Sequence, residues 1–492
     1  MRRAKRYCKW RLSLWGVPAS FLPSMKDLVL YDTASRTARK VEASDGKSVR
    51  IYCCGPTVYG PAHIGNFRTF IMQDVLRRTL EVFGHRTTHV RNLTDLDDKT
   101  IRQSQAEGRT LTEFTSHWRD RFHADCAALN LLAPHVEPSA VGHIPHQIRM
   151  IQDLVAKGHA YVSQGSVYFK VESFPDYGSL SRLKEREVIT GASGAASVNA
   201  NAGVSGAVED ADEYQRETAA DFVLWKARKT EDGPNFWPSP WGDGRPGWHL
   251  ECSAMAREYL GCDIDLHSGG IDLIFPHHEN EIAQSVCATG CGFVRHWFHG
   301  AHLTVDKQKM SKSLGNLFTL ADVQARGFTA AELRYVLLSG HYGKPLNFTW
   351  DTFTAARSAL GQMARAAARI GSAGESATPV IGGRMAPVFE ALADDLNTPK
   401  ALGALFSVLD TLQADDAEAF STFLGATGIR LDQAPVSAQI EIPSEVKSLA
   451  EARWAARLSK NWAESDRLRD ELKARGWAAK DGKEGYTLAR IA

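Results

Sequence analysis

The sequence predicts an α/β protein, in which a doubly wound, Rossmann-like parallel-sheet domain carries an inserted α+β connective domain. A helical bundle and a small C-terminal domain follow. Three observations predict it. Val49 to Cys54 is a short apolar run ending at Gly55-Pro56, as a buried parallel strand does. Phe70, Ile71, Val75, Leu76, Leu80 and Phe83 then recur at helical spacing, and Thr87 to Leu93 reads as a second strand, which completes a βαβ unit. Beyond Lys312 the pattern is almost wholly helical.

Residues 1–24 hold a basic cluster, Arg2 to Arg11, ahead of the apolar stretch Leu12 to Leu22, a superficial likeness to a signal peptide. The strand-like run Leu28-Val29-Leu30-Tyr31 starts just after Met25, so residues 1–24 read as an extension and are expected to be disordered. The first half of the sheet domain then spans 25–134, with His63-Ile64-Gly65-Asn66 at the N-terminus of its first helix. Free N–H groups and a positive dipole end at such a place favour a bound phosphate.

Residues 135–245 differ in texture. Turns around Pro134, Pro138 and Pro145 lead to a helix and a strand pair, 160–162 and 167–169, and the Gly/Ala/Ser/Asn/Val tract 191–208 reads as a flexible surface loop. The core pattern resumes over 246–325, where Asp263 to Gly270 is a strand running into a glycine turn. A helical region over 326–385 and a bundle over 386–440 follow, with one helix beginning at Asp394-Asp395-Leu396-Asn397-Thr398-Pro399. The last domain, 441–492, holds two helices between Val446 and Arg475, broken near Asn461.

Composition narrows the function classes. A chain of 492 residues has room for two to four domains, and 43% hydrophobic with 23% charged residues describes an ordinary globular protein. A net charge of +1 excludes a polycation, so any nucleic-acid contact must come from local patches such as Arg453, Arg457, Lys460, Arg467, Arg469 and Lys473. Eight scattered cysteines suit a reducing compartment rather than a disulfide scaffold. No apolar stretch approaches the roughly 20 residues of a membrane span, so no membrane contact is expected.

Two words carry phosphate chemistry. Lys309-Met310-Ser311-Lys312-Ser313, followed by Leu314-Gly315-Asn316, sets two lysines among hydroxyls and ahead of a glycine, which suits a mobile loop closing on a triphosphate. Far upstream, Gly55-Pro56-Thr57-Val58-Tyr59 leads into His63 to Asn66. A separate set, Cys54, Cys252, His277 and Glu281, offers two thiolates, an imidazole and a carboxylate, a tetrahedral Zn²⁺ set. His277 and Glu281, four apart, would share one helix face. Taken singly, each reads rather as an ordinary structural residue, Cys54 as a buried thiol and His277 as a capped core histidine.

The two phosphate words resemble the signatures of class I aminoacyl-tRNA synthetases. Gly55 to Tyr59, Arg91-Asn92-Leu93-Thr94-Asp95-Leu96-Asp97-Asp98-Lys99, Gly247-Trp248-His249-Leu250-Glu251-Cys252-Ser253-Ala254-Met255 and Phe275-Pro276-His277-His278-Glu279-Asn280-Glu281 resemble the cysteinyl-tRNA synthetase family, from about Leu28 to the C-terminus. The resemblance implies a cysteine–tRNA ligase that joins L-cysteine to tRNA(Cys) with ATP and Mg²⁺, one Zn²⁺ per subunit, and a monomer in the cytoplasm. It assigns the metal to Cys54, Cys252, His277 and Glu281, with Cys53 left as a buried thiol on the opposite strand face. It assigns ATP to Gly55, Pro56, His63, Gly65, Asn66, Lys309 and Lys312, with catalysis on His63, Asn66, Lys309 and Lys312. Thr94, Trp248, His267 and Asp272 match positions that shape the amino-acid pocket. Residues 441–492 correspond to the anticodon-binding end, where Trp454, Trp462 and Trp477 stand as stacking platforms or as core.

The implied zinc makes physical sense. Rejecting serine ten-thousand-fold takes about 5.5 kcal/mol, whereas an apolar pocket gains only about 1–3 kcal/mol from one methylene-sized difference. A soft metal prefers sulfur. Two places depart from the family: Asn66 stands where a second histidine is usual, and Gly60 where an acidic residue is usual. The alternatives are a paralogous ligase passing cysteine to an amino-sugar, which would need no anticodon domain, and a non-catalytic tRNA- or zinc-binding descendant, which should have lost His63, Lys309 or Lys312.

Overall fold

The computed structural model describes residues 26–183, 221–311, 314–371, 379–433, 443–481 and 485–490. The extension 1–24, the tract 191–208 and Lys312 therefore lie outside the described residues. The chain divides into two compact units, Met1–Ala434 and Pro435–Ala492.

In the larger unit a hairpin of β1 (Val29–Asp32) and β2 (Thr37–Lys40) precedes the unit read from the sequence: β3 (Val49–Cys53), α1 (Ile64–Val82) and β4 (Thr87–Arg91). Helices α2 (Asp98–Ala106), α3 (Leu111–Ala128) and α4 (Ile144–Ala156) lead to an antiparallel sheet of β5 (Ala160–Ser163), β6 (Ser166–Phe169), β7 (Phe222–Ala227) and β8 (Gly244–Pro246), in that order. Pro145 sits in the first turn of α4, where its missing N–H has no helical partner to lose. The chain then returns through α5 (Trp248–Leu260), β9 (Leu266–Gly270), α6 (Glu279–Thr289) and β10 (Trp297–Gly300).

Strands β10, β9, β3 and β4 form, in that order, a parallel sheet. The first βαβ unit grows toward β4 and the second toward β10, so the strand order reverses between β3 and β9. In such sheets the crevice at the carboxyl ends of the strands flanking the reversal is where ligands bind. Cys54, Gly55 and the His267–Gly270 stretch lie at that place. The sheet is covered on both faces: Cys53 packs with α1 residues Phe67, Ile71 and Val75, while Cys54 packs with Cys252 and Met255 of α5. Adjacent cysteines thus serve opposite faces, as the strand period demands.

Beyond the sheet, β11 (Leu303–Val305) pairs with the two-residue β12 (Gln308–Lys309) and with β13 (Leu346–Phe348). Helices α7 (Leu320–Ala325), α8 (Ala330–Leu338), α9 (Thr352–Ile370), α10 (Ala386–Ala393), α11 (Thr398–Val408) and α12 (Ala417–Thr427) complete this unit. Asn397 caps α11 by accepting from Lys400 N, so the segment Asp394–Pro399 holds the start of that helix.

The smaller unit is two helices and a hairpin: α13 (Ser444–Leu458), α14 (Trp462–Ala474), β14 (Trp477–Asp481) and β15 (Tyr486–Arg490). Asn461 caps α14, at the break read from the sequence. The strands β13, β14 and β15 correct the almost wholly helical reading of this half. They are short, and their partners rather than their own periodicity hold them extended. Among the described residues no helix is long and apolar enough to cross a membrane.

Candidate functional site

The phosphate words come together first. Gly55 N donates to Asn92 Oδ1 at 2.9 Å, and a Cβ at Gly55 would lie 1.7 Å from Asn92 O, so only glycine lets β3 leave the sheet beside Asn92. The exchanged bonds Val58 N to Thr94 O and Thr94 N to Pro56 O, each 3.1 Å, then run the two signature stretches side by side. Thr94 is buried, and its Oγ1 accepts from Asn92 Nδ2 at 3.1 Å.

His63 caps α1. Its Nδ1 accepts from Asn66 N at 3.2 Å, while Asn66 Oδ1 accepts from His63 N at 3.1 Å. Accepting at Nδ1 leaves Nε2 as the N–H of the neutral ring. Burial lowers the His63 pKa to about 4 against the pull of Asp272, so the ring is a neutral donor at pH 7. The reciprocal cap also fixes Asn66 with its amide NH₂ free of the cap. The loop after β12 lies against this terminus, since a Cβ at Gly65 would meet Met310 Sδ at 3.3 Å. Asn316 holds that loop: its Oδ1 accepts from Ser311 N at 2.8 Å and its Nδ2 donates to Lys309 O at 3.1 Å. Lys309 itself is exposed.

The second constellation lies at the ends of β3 and β9. Donor atoms of Cys54, Cys252, His277 and Glu281 lie within 4.8 Å of one another, and all four residues are buried. Cys252 comes from α5 and Glu281 from α6. His277 occupies the segment Ile274–His278 that leads into α6, kinked by the extended backbone of Phe275 (φ −138°, ψ 133°), and its Nε2 still meets Glu281 Oε1 at 2.9 Å. Cys54 Sγ is 3.7 Å from His277 Nε2 and 3.9 Å from Glu281 Oε1.

Neighbours orient these groups. His267 Nε2 bonds Glu281 Oε2 at 2.8 Å, His249 Nδ1 meets His277 Nδ1 at 2.9 Å, and Trp248 stacks on the His277 ring at 4.3 Å between centroids. Such outer partners set the direction and basicity of metal ligands. Cys54, His267, His278 and Glu281 form an overlapping cluster that shares two members with the first. In it, His267 already occupies Glu281 Oε2, and His278 Nδ1 is 2.7 Å from His299 Nε2.

The electrostatics fit a soft dication. A hydrogen bond from Cys54 lowers the Cys252 pKa to about 6, whereas burial raises that of Cys54 well above its usual value. The polypeptide alone thus supports one thiolate, and a second would need a cation. Burial opposes ionisation of Glu281, but His267 and His277 lower it to about 2. His277 is likewise disfavoured by burial yet raised to about 10 by Glu281 and Cys252, a proton that a metal would displace. Two sulfurs, one nitrogen and one oxygen on a fixed frame are a donor set for Zn²⁺.

Of the remaining residues named from the sequence, Asp272 stands one turn beyond β9, where a Cβ at Gly270 would meet its Oδ1 at 2.4 Å. Pro56 supplies the carbonyl noted above. Asn92, His249, His278 and Asn316 carried no signal of their own, although all four lie inside or beside the recognised words. In the smaller unit Trp477 is core, Trp454 lies beside Tyr486 with ring centroids 6.1 Å apart, and Trp462 is 55% exposed.

Residues 40–358 match the family of class I (C) tRNA synthetase catalytic domains, and residues 440–487 match the cysteinyl-tRNA ligase anticodon binding domain. The chain is 54% identical to a cysteine–tRNA ligase of Opitutus terrae, over 94% of this chain and 98% of that protein. It is 43% identical to one of Chlamydia caviae, over 95% and 99%. Methionyl-tRNA synthetase of Mycobacterium tuberculosis, in complex with methionyl-adenylate, shares the fold with a TM-score of 0.52 at 15% identity, covering 78% of this chain and 90% of that one.

Proposed function

The chain belongs to the cysteinyl-tRNA ligase family, and from that premise we propose that it activates L-cysteine with Mg·ATP and transfers it to the 3′ end of tRNA(Cys). The convergence of four buried donor atoms from three separate segments supports the reading most directly. The anticodon-domain match beyond residue 440 favours tRNA over an amino-sugar as acceptor.

Cys54, Cys252, His277 and Glu281 would hold Zn²⁺, which when bound offers a soft position that takes a thiolate far better than a hydroxyl. His267 orients Glu281 through Oε2, and Trp248 and His249 fix the His277 ring. Thr94 and Asp272 would line the remaining wall for the cysteine amine and carboxylate. The cysteine carboxylate attacks the α-phosphate and pyrophosphate departs, so the task is positioning and charge stabilisation. His63 Nε2–H and the Asn66 amide would donate to phosphate oxygens without adding charge. Gly55 and Gly65 let the backbone approach, and Lys309 with Lys312 would hold the leaving pyrophosphate. A ribose hydroxyl of the terminal adenosine then takes the cysteinyl group. The site is built within one chain, which suits a monomer, and thiolate ligands, ATP and tRNA suit the cytoplasm.

The test is to incubate the protein with ATP, Mg²⁺, labelled cysteine and tRNA. Label on tRNA that is lost in Cys252→Ser supports the proposal. Cysteine-dependent pyrophosphate exchange without charging would replace tRNA by another acceptor.

A further inference from the structure

The two helices that carry Cys252 and Glu281 end alike. Helix α5 stops at Gly261 (φ 85°) and α6 at Gly290 (φ 76°), and each glycine is followed at once by a cysteine, Cys262 and Cys291. The helices run side by side in register: Cys262 lies ten residues beyond Cys252, and Cys291 ten beyond Glu281. Just past the pair the backbones join, with Ile264 N donating to Phe293 O at 2.9 Å and Arg295 N to Ile264 O at 3.0 Å. Arg295 also pairs with Asp263. After α6, Cys291 N donates to Thr289 Oγ1 at 3.1 Å, which fixes the turn.

Backbone ladder and glycine caps thus hold the two sulfurs together, 2.6 Å apart, and both residues are only half-buried. The Cys262 thiol donates to Cys291 Sγ, and that bond raises its own pKa. Eight residues of helix, about 12 Å, and a glycine separate each cysteine from its metal-ligand candidate, and Cys287 is buried one turn earlier on α6.

We infer that Cys262 and Cys291 form a reversible disulfide with a low-molecular-weight disulfide as oxidant, clasping the ends of the two helices whose other ends carry Cys252 and Glu281. The Cys291 thiolate attacks one sulfur of the oxidant R–S–S–R, forming a mixed disulfide and expelling one thiolate RS⁻. The Cys262 sulfur, its proton lost to solvent, then attacks the Cys291 sulfur and expels the second RS⁻. The protein loses two electrons and two protons, and the oxidant gains them as two thiols RSH. The closed link restricts the unfolded chain between residues 262 and 291 and so stabilises the folded arrangement.

The full-length, metal-replete protein is treated with cystine, blocked with N-ethylmaleimide, digested without reductant and examined by mass spectrometry. A peptide pair joining Cys262 to Cys291 and separated by dithiothreitol is expected. The oxidised protein should also show a thermal midpoint a few degrees higher than the reduced one, a rise absent in Cys262→Ser and in Cys291→Ser. Recovery of both cysteines as maleimide adducts, as separate half-cystine adducts, or linked to other cysteines would overturn the inference. A Cys262–Cys291 link with no rise in the midpoint would overturn the clasp.

Discussion

His63 and Asn66 divide the polar edge of one helix end between them. The ring gives its Nδ1 lone pair to the Asn66 N–H, and the amide oxygen of Asn66 returns the cap. A charged histidine at position 66 is not needed for that geometry, which gives a physical reason for the departure from the usual signature to be tolerated. Asn316 matters in the same way for the lysine loop. Replacing it by alanine removes two hydrogen bonds of about 1 kcal/mol each, so Asn316→Ala should slow cysteine-dependent pyrophosphate exchange by up to roughly thirtyfold while leaving the thermal midpoint nearly unchanged. Unchanged exchange would remove Asn316 from the account. At the candidate metal cluster, Cys252→Ser should lose any zinc the parent protein binds and cost cysteine activation beyond the roughly 10–100-fold typical of an outer partner, whereas His278→Ala should retain the zinc. Elemental analysis distinguishes the two overlapping ligand sets directly: zinc lost from His278→Ala and kept in Cys252→Ser would favour the cluster of Cys54, His267, His278 and Glu281.

At the scale of elements, α1 is joined to the helical half by a buried ion pair. Asp74 on α1 meets Arg334 on α8, and Arg334 also donates to Thr427 O and Leu129 O at 2.8 Å, where α12 and α3 end. A Cβ at Gly428 would strike the Arg334 guanidinium at 2.2 Å, so the turn after α12 is glycine for space as well as for its φ of 63°. Burial alone would raise the Asp74 pKa, but Arg78 and Arg334 bring it to about 2 from an ordinary 3.8. A depressed folded-state value means the stabilisation, about 2 kcal/mol, is whole above pH 4 and drains away as the pH falls toward 2. Asp74→Asn should destabilise the protein by about 3–5 kcal/mol near neutrality, because it strands Arg334, and should flatten the loss of stability between pH 4 and 2. Urea unfolding at several pH values checks both. The strand–helix–strand unit around α1 was legible in the sequence because its periods of two and 3.6 are strong and a glycine word marks their junction. The Asp74–Arg334 pair was not, since 260 residues separate partners that no local pattern relates. The hairpin of β14 and β15 escaped for a related reason: Trp477-Ala478-Ala479-Lys480-Asp481 has the composition of a helix, and only pairing with the second strand makes it extended.

At the scale of the whole molecule, the division into two units separates two kinds of chemistry. The units also differ in how they are held. The smaller has a core of Val446, Ala450, Leu472 and Trp477, supplemented by the two-bond pair of Arg453 with Asp481 at 2.7 and 2.9 Å. With so small a core, that half-buried pair is a substantial part of what fixes helix to hairpin. The sequence marked three tryptophans here without separating platform from core. Burial separates them: Trp477 belongs to the core, while Trp462, exposed at the start of α14 with Arg457 5.6 Å from its ring centroid, is the candidate platform for a base. Stacking of a base on an aromatic ring contributes about 1–3 kcal/mol, so Trp462→Ala should reduce kcat/KM for tRNA by roughly five- to a hundredfold. Pyrophosphate exchange, which needs only the metal and phosphate sites of the larger unit, should stay at the level of the parent protein. The Arg457 charge should appear separately, as a shallower dependence of tRNA binding on salt in Arg457→Gln. Equal loss of exchange and charging in Trp462→Ala would instead mean that this tryptophan supports the fold, and the base platform would have to be sought on another face of the smaller unit.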